Sequence, residues 1–291
     1  MKTHLTVTAR TDIGRVRQRN EDAFLIADVG AGTPVSGDEV TRFDVGDRGA
    51  VLAVSDGMGG HKAGDIASAM TLESLLKSLV SRTSLVEGDA RLVGATEQAN
   101  VDVYEAGRRP SLAKMGATIT ALLIENGTAH IAEVGDSRAY VVRHGEIHRL
   151  TLDQSFAQMA VDAGAMSPRD VEASPLRNVL AQAMGQTLEL SVAVSMLALR
   201  QRDCLVLCSD GLTSKVGDPE IRDAIVSASS LDLACKNLVD LANARGGEDN
   251  VTVLIAGVNG DMPASSATEA FSATYSVLRP FEPRAIPRSV R

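Results

Sequence analysis

The chain has 291 residues, 44% of them apolar, enough for one large domain or two small ones around a substantial core. Lysine and arginine total 29 against 37 acidic residues, a formal net charge of −8, which argues against a surface built to neutralise nucleic-acid phosphates and suits cation binding. Three cysteines argue against a secreted disulfide framework and fit a reducing cytoplasm; the N-terminus has no apolar leader core, and no stretch nears the roughly 18 apolar residues of a membrane span.

LTVTAR (5–10) and AFLIADV (23–29) read as strands separated by a polar, arginine-rich segment. Glycines, Pro34 and scattered acids make 30–49 a surface loop, and the apolar GAVLAVS after it is a buried strand. Past Gly59-Gly60, Ile66, Met70, Leu75, Leu76 and Leu79 recur at helical spacing, and a second helix is expected over 89–106. ATITALLIE, TAHIAEVG and RAYVVRHGEIHRLT return to strands, the last folding back at His144-Gly145. A short helix and an irregular excursion fill 153–185; then come strands SVAVSMLAL and DCLVLCS, helices near 219–228 and 231–244, and the strand VTVLIAGV. Two batches of strands, each followed by helices, predict an α+β fold with stacked antiparallel sheets and helices outside them. From 259 onward, four of the nine prolines and four arginines against three acids suggest a flexible tail.

Several strands stop at an aspartate. AVSDG (53–57) and LCSDG (207–211) both end in Ser-Asp-Gly, VGDSR (134–138) follows a strand, and GGEDN (246–250) precedes one. Asp56, Asp136, Asp210 and Asp249 therefore occupy strand boundaries, and Glu21 and Asp22 precede another strand. Gathered without a cation, such acids raise one another's pKa and oppose folding. A hard divalent ion removes that objection: carboxylates, carbonyls and water suit Mg²⁺ or Mn²⁺, and a glycine after the aspartate lets a carbonyl approach. Each Asp-Gly alone is an ordinary turn; six acids in this arrangement are not. Arg17, four residues before Glu21, offers a forked cation for an oxyanion.

TDIGRVRQRNEDAF, VSDGMGGHKAGDIAS, MGATIT, EVGDSRAYVVRHGEIHRLT, LCSDGL and GGEDNVTVLI, in this order, resemble the motif series of the metal-dependent type 2C (PPM) Ser/Thr protein phosphatases in their compact bacterial form, over residues 8–258. The resemblance implies a four-layer α/β/β/α sandwich in residues 1–258, with 259–291 outside it. By motif, Asp56 should bridge two Mn²⁺ or Mg²⁺ ions, the Gly57 carbonyl should bind one, and Asp210 and Asp249 should complete the other. Glu21 and Asp22 match groups that hold the ions' waters, Asp136 matches the ligand of a weaker third ion, and Arg17 matches the phosphate-binding arginine. The implied reaction is attack of metal-activated water on phosphoserine or phosphothreonine in phosphorylated proteins, opposing a Ser/Thr protein kinase.

The chain departs from that pattern at Met58, where some relatives carry a histidine placed as the acid for the leaving group, and at Gln154, often histidine. His61 is an alternative acid or a capping group at a helix start, and a metal-bound water is the better candidate. Asp153 reads as a structural turn acid. His144 and His148 read as a solvated hairpin, Cys204 and Cys208 as core, and the absence of G-x-x-x-x-G-K-[ST] rejects a P-loop. Other readings are a catalytically dead binding module and a metal nuclease or small-molecule phosphohydrolase; filled acid positions count against the first, acidity against the nuclease.

Overall fold

A strand with one wet face alternates apolar and polar residues; VLAV, LVLC and VTVLIAGV do not, so both faces must be covered. The computed structural model describes residues 1–282 apart from 37–38, 60–62, 83–85, 168–169, 171–173, 175, 177–178 and 267. Strands β1 (Thr3–Asp12), β2 (Asp22–Asp28), β3 (Thr33–Pro34), β4 (Thr41–Asp44) and β5 (Ala50–Met58) precede helices α1 (Gly64–Ser81) and α2 (Gly88–Gly107). Next come β6 (Gly116–Ala117), β7 (Ile119–Glu125), β8 (Thr128–Val134), β9 (Arg138–Arg143), β10 (Glu146–Arg149) and α3 (Phe156–Asp162). The chain continues through β11 (Ala193–Ala198), β12 (Cys204–Cys208), α4 (Asp210–Thr213), α5 (Asp218–Ser227), α6 (Leu231–Ala244), β13 (Val251–Gly260) and β14 (Tyr275–Arg279).

Two antiparallel sheets result. One has the order β10-β9-β12-β13-β1-β4; the other runs β14-β11-β8-β7-β5-β2-β3, with β6 also on β5. Between them lies a core that includes Leu5, Val7, Ile26, Leu52, Leu122 and Leu254. A second core fills the space under α1 and α2, with Val51, Ala53, Leu75, Leu79 and Leu92, and a third lies under α5 and α6, with Val206, Ile221, Leu238, Val253 and Ile255. Successive residues of β5 and β13 thus point into different cores, which is why those strands read as unbroken apolar runs. This is the expected four-layer α/β/β/α arrangement.

The hairpin turns where expected: His144 and Gly145 have φ of 54° and 75°, and Arg143 pairs with Glu146, as a two-residue primed turn requires. His148 stacks on Phe271 (centroids 4.1 Å apart), and all three cysteines are free and buried in the α5/α6 core. Burial pushes the Cys204 and Cys208 thiols up to about 12.

Two expectations fail. The loop over 30–49 contains β3 and β4; Phe43 and Val45 pack against the inter-sheet core, but four residues are too few for a period to show. The tail is corrected more substantially. β13 runs on to Gly260, and Tyr275–Arg279 adds an edge strand to β11. Buried Arg143, paired with Asp203 at 2.6 Å, also donates to Thr274 Oγ1 at 2.7 Å, and Tyr275 donates its hydroxyl to the Leu150 carbonyl at 2.9 Å. Arg200 and Glu269 add an ion pair at 2.7 Å. Backbone pairing and long-range anchors hold a segment whose own composition gives no such sign.

Leu254, fully buried between the sheets, provides a check on this core. Leu254→Ala should cost about 2–5 kcal/mol in urea unfolding, the usual range for a leucine truncated in a close-packed interior; a loss below about 1 kcal/mol would show that the sheets do not interlock there.

Candidate metal centre

The acids converge at one end of the sandwich because the strands carrying them end there. Asp22 opens β2 and pairs across the ladder with Asp56 on β5, so two carboxylates from distant sequence are set side by side by register alone. Asp136 lies in the turn between β8 and β9, Asp210 opens α4 with one residue separating it from β12, and one residue separates Asp249 from β13. β12 and β13 are neighbours, so the last two acids leave adjacent strands. Every acid expected at the site is present in this region.

Uncharged groups fix the arrangement. The Asp56 amide donates to Thr118 Oγ1 at 2.9 Å, and that hydroxyl shares a 2.8 Å hydrogen bond with Ser137, next to Asp136. Ser55 Oγ donates to the Thr118 carbonyl and Thr120 Oγ1 to the Ser137 carbonyl, at 2.6 and 2.7 Å. On the other side Ser209 Oγ donates to Asp22 Oδ2 at 2.7 Å and accepts from the Thr252 amide at 3.0 Å. Asn250 organises the arginine-rich loop: its Nδ2 donates to the Ile13 and Arg19 carbonyls, and its Oδ1 accepts from the Glu21 amide at 2.8 Å. The Arg15 amide donates to the Gly247 carbonyl at 2.7 Å, closing that loop onto the segment carrying Asp249. Sequence reading missed Thr118, Ser137, Ser209 and Asn250, although each lies within a quoted motif.

Gly57 has a steric requirement of its own. A Cβ there would run into the carbonyl oxygens of Gly64 and Glu21. Its amide donates to the Glu21 carbonyl at 3.1 Å, which holds the chain against the start of α1.

Electrostatically the cluster is expensive. Burial, then Asp22, Asp210, Asp136 and Asp249, push the Asp56 carboxyl well above the ordinary range. Burial lifts Asp22 to about 7 despite the Ser209 hydrogen bond, and burial together with Asp249 lifts Asp210 to about 6. Asp136 is raised well above its usual value by burial and by Asp210, and Glu21 is raised mainly by burial. Asp22 Oδ1 and Asp210 Oδ1 are buried without any hydrogen-bond partner.

Such a cluster fits a hard divalent cation. The donors are all oxygens, two are orphaned, and each neighbouring acid raises the others, as happens when a counter-charge is missing. Among the described residues no three carboxylate, imidazole or thiolate groups form a closed cage around one point. Mg²⁺ and Mn²⁺ keep several waters between themselves and the protein, so carboxylates that serve them need not close around one point. The unpartnered oxygens and mutual pKa elevation are the better guides.

Arg17 reaches the cluster from the loop after β1. Its Nη2 donates to Asp249 Oδ2 at 2.7 Å, and although burial opposes its charge, Asp249, Asp56 and Glu21 keep it cationic. Arg17, Glu21, Asp56, Gly57, Asp136, Asp210 and Asp249 all line one cleft of about 760 Å³. Met58 also lines it, whereas His61 lies outside the described residues. Gln154 is fully buried, accepting from the Gly135 amide at 2.9 Å and from Gln182 at 2.8 Å, so it braces the turn before Asp136. Asp153 is gripped by Arg138 at 2.7 and 3.0 Å and by Arg149, the structural role expected of it.

Known proteins share this sequence pattern and fold. A family model described as protein phosphatase 2C matches residues 31–237. The serine/threonine phosphatase stp of Listeria welshimeri is 34% identical over 250 residues, 84% of this chain and 93% of that protein. The structure of the S. agalactiae serine/threonine phosphatase superposes with a TM-score of 0.77 at 32% identity, over 88% of this chain and 100% of the other. The catalytic domain of the serine/threonine protein phosphatase PstP, solved in complex with two manganese ions, gives 0.73 at 30% identity over 89% of this chain and 100% of its own. The fold, the strand-end acids and these matches together show that the chain belongs to the protein phosphatase 2C family of metal-dependent serine/threonine phosphatases.

Proposed function

We propose that the acidic cleft hydrolyses phosphoserine and phosphothreonine in phosphorylated proteins, using two divalent ions held by Asp56, the Gly57 carbonyl, Asp210 and Asp249. The observation that carries this reading is the buried cluster of mutually destabilised carboxylates with two unpartnered oxygens, positioned by strand register. Asp56, buried among the other acids and matching the family's shared ligand by motif, would serve both ions. Asp210 and Asp249 would complete the protein ligands, Glu21 and Asp22 would hold metal-bound waters, and Asp136 would serve a weaker third site. Mn²⁺ or Mg²⁺ suits this all-oxygen set, and the two manganese ions of the PstP relative support a pair.

When bound, such a pair supplies Lewis acidity and an activated water for in-line attack on phosphorus. The protein's own part is to bind, orient and discriminate. Arg17 presents a fork to the phosphoryl oxygens, its charge maintained by the acids behind it. The Thr118 and Ser137 hydroxyls hold the Asp56 and Asp136 ends at fixed separation, so little reorganisation accompanies reaction. Met58 has no proton to give, so the leaving alkoxide draws its proton from solvent in the cleft. The catalytic unit takes in the motif-bearing residues 1–258 together with the end of β13 and the edge strand β14, and a cytoplasmic Ser/Thr protein kinase would supply the substrates. Among the described residues no helix is long and apolar enough to cross a membrane.

Asp56→Asn should lower Mn²⁺-dependent hydrolysis of a phosphothreonine peptide by more than the roughly 10–100-fold typical of groups outside the ligand set, and calorimetry should show weakened Mn²⁺ binding. Undiminished turnover would remove Asp56 from its assigned place. Loss of a charged hydrogen bond predicts that Arg17→Ala weakens phosphopeptide kcat/KM by roughly 10–100-fold; an unchanged value would leave the phosphoryl group without its proposed clamp.

Proton linkage gives a further expectation. Asp22 and Asp210 titrate near 7 and near 6 in the fold, above the roughly 3.9 of an unfolded aspartate, so the native state retains protons that the unfolded chain releases. In chelator their contribution to stability should therefore fall as pH rises from about 4 to about 7. Added Mn²⁺ should raise the melting temperature more at about pH 8 than at about pH 5, and an equal shift at both would contradict a carboxylate site.

A further inference from the structure

Phe281 lines the same cleft as the acids, although it follows β14, the last strand described. Its delivery is geometrically specific. β14 runs antiparallel to β11 with Arg279 beside Val194, so the end of β14 meets the start of β11, where the chain has just left the cleft-lining segment around Gln182 and Gln186. Pro280 has no amide hydrogen to extend the ladder, and Phe281 follows at once. Upstream, the Arg143–Thr274 and Tyr275–Leu150 hydrogen bonds anchor the segment to the body of the fold. The strand that leads to Phe281 is thus held by pairing and by buried anchors.

Part of the same cleft is lined by apolar side chains. Phe156 and Met159 project from α3, and Val179 and Leu180 from the segment after it; Val179 remains 42% exposed. Two of only five phenylalanines in the chain stand in this one concave wall, in a protein with no tryptophan. Apolar side chains left wet in a concavity gain free energy when covered. A cleft of about 760 Å³ is larger than one phosphorylated side chain needs, so a bound peptide has neighbouring residues to place there.

We propose that Phe281, with Phe156, Met159, Val179 and Leu180, forms a subsite for a bulky apolar side chain close to the phosphorylated residue of the substrate, and so sets sequence preference. This rests on the phosphatase reading above. The occupant is a substrate peptide because the wall is continuous with the surface that carries Arg17 and the acids.

The test uses the full chain with Mn²⁺ and phosphothreonine peptides flanked by glycine, each with a single leucine at one of the two positions on either side. At one position leucine should raise kcat/KM on the order of tenfold, mainly through KM, as one apolar side chain in a hydrophobic pocket does. Phe281→Ala should bring that ratio to near one, and Phe281→Leu should keep most of it, with circular dichroism confirming that both variants are folded. A wild type indifferent to leucine while hydrolysing every peptide overturns the subsite and leaves the phosphatase reading standing. So does a preference that survives Phe281→Ala, or a uniform gain on all peptides in that variant, which would make Phe281 an obstruction. Failure of the wild type to hydrolyse any peptide would instead overturn both.

Discussion

The structure depends on burying acids that repel one another. For Asp22, Asp56, Asp136 and Asp210 the largest influence is removal from water, and the next contributions include the charge of the other acids. No local preference would bring these residues together. The sandwich does so because β2 pairs with β5 and β12 with β13, and the apolar interior between the sheets fixes where those strands stop. Hydrophobic burial along the strands opposes electrostatic cost at their ends, and a cation that offsets that cost binds and stabilises together.

The groups immediately behind the acids are neutral. Thr118, Ser137, Ser209 and Asn250 join backbone to backbone or backbone to carboxylate, and all are buried or nearly so. A lysine in their place would neutralise the acids and compete with any metal. Hydroxyls and an amide fix position while leaving the negative potential intact. Arg17 is a charged neighbour of a different kind: it stands at the solvent side, about half exposed, where its charge can be offered outward.

What could be read from the residues follows from how local each signal is. The unbroken apolar runs of β5, β12 and β13 imply burial on two faces, and the repeated Ser-Asp-Gly places acids at strand ends. The hairpin at His144-Gly145 was legible because positive φ is demanded of specific residues. By contrast β4 and β14 owe their strand state to the neighbours they pair with, Leu5 opposite Phe43 and Leu197 opposite Tyr275, and nothing in TRFD or YSVLR alone dictates it. Ser209 and Asn250 escaped notice for a related reason: their roles lie in partners some 187 and 229 residues away, Asp22 and Glu21.

One feature of the strand arrangement bears on how the molecule can be handled. Met1 packs beside the turn at Gly127, between β7 and β8, at the pole of the sandwich opposite Asp56. Phe281 stands at the other pole, in the cleft. An affinity handle or fluorescent fusion joined ahead of Met1 would project from the pole away from the acids, leaving the cleft clear for a large phosphoprotein.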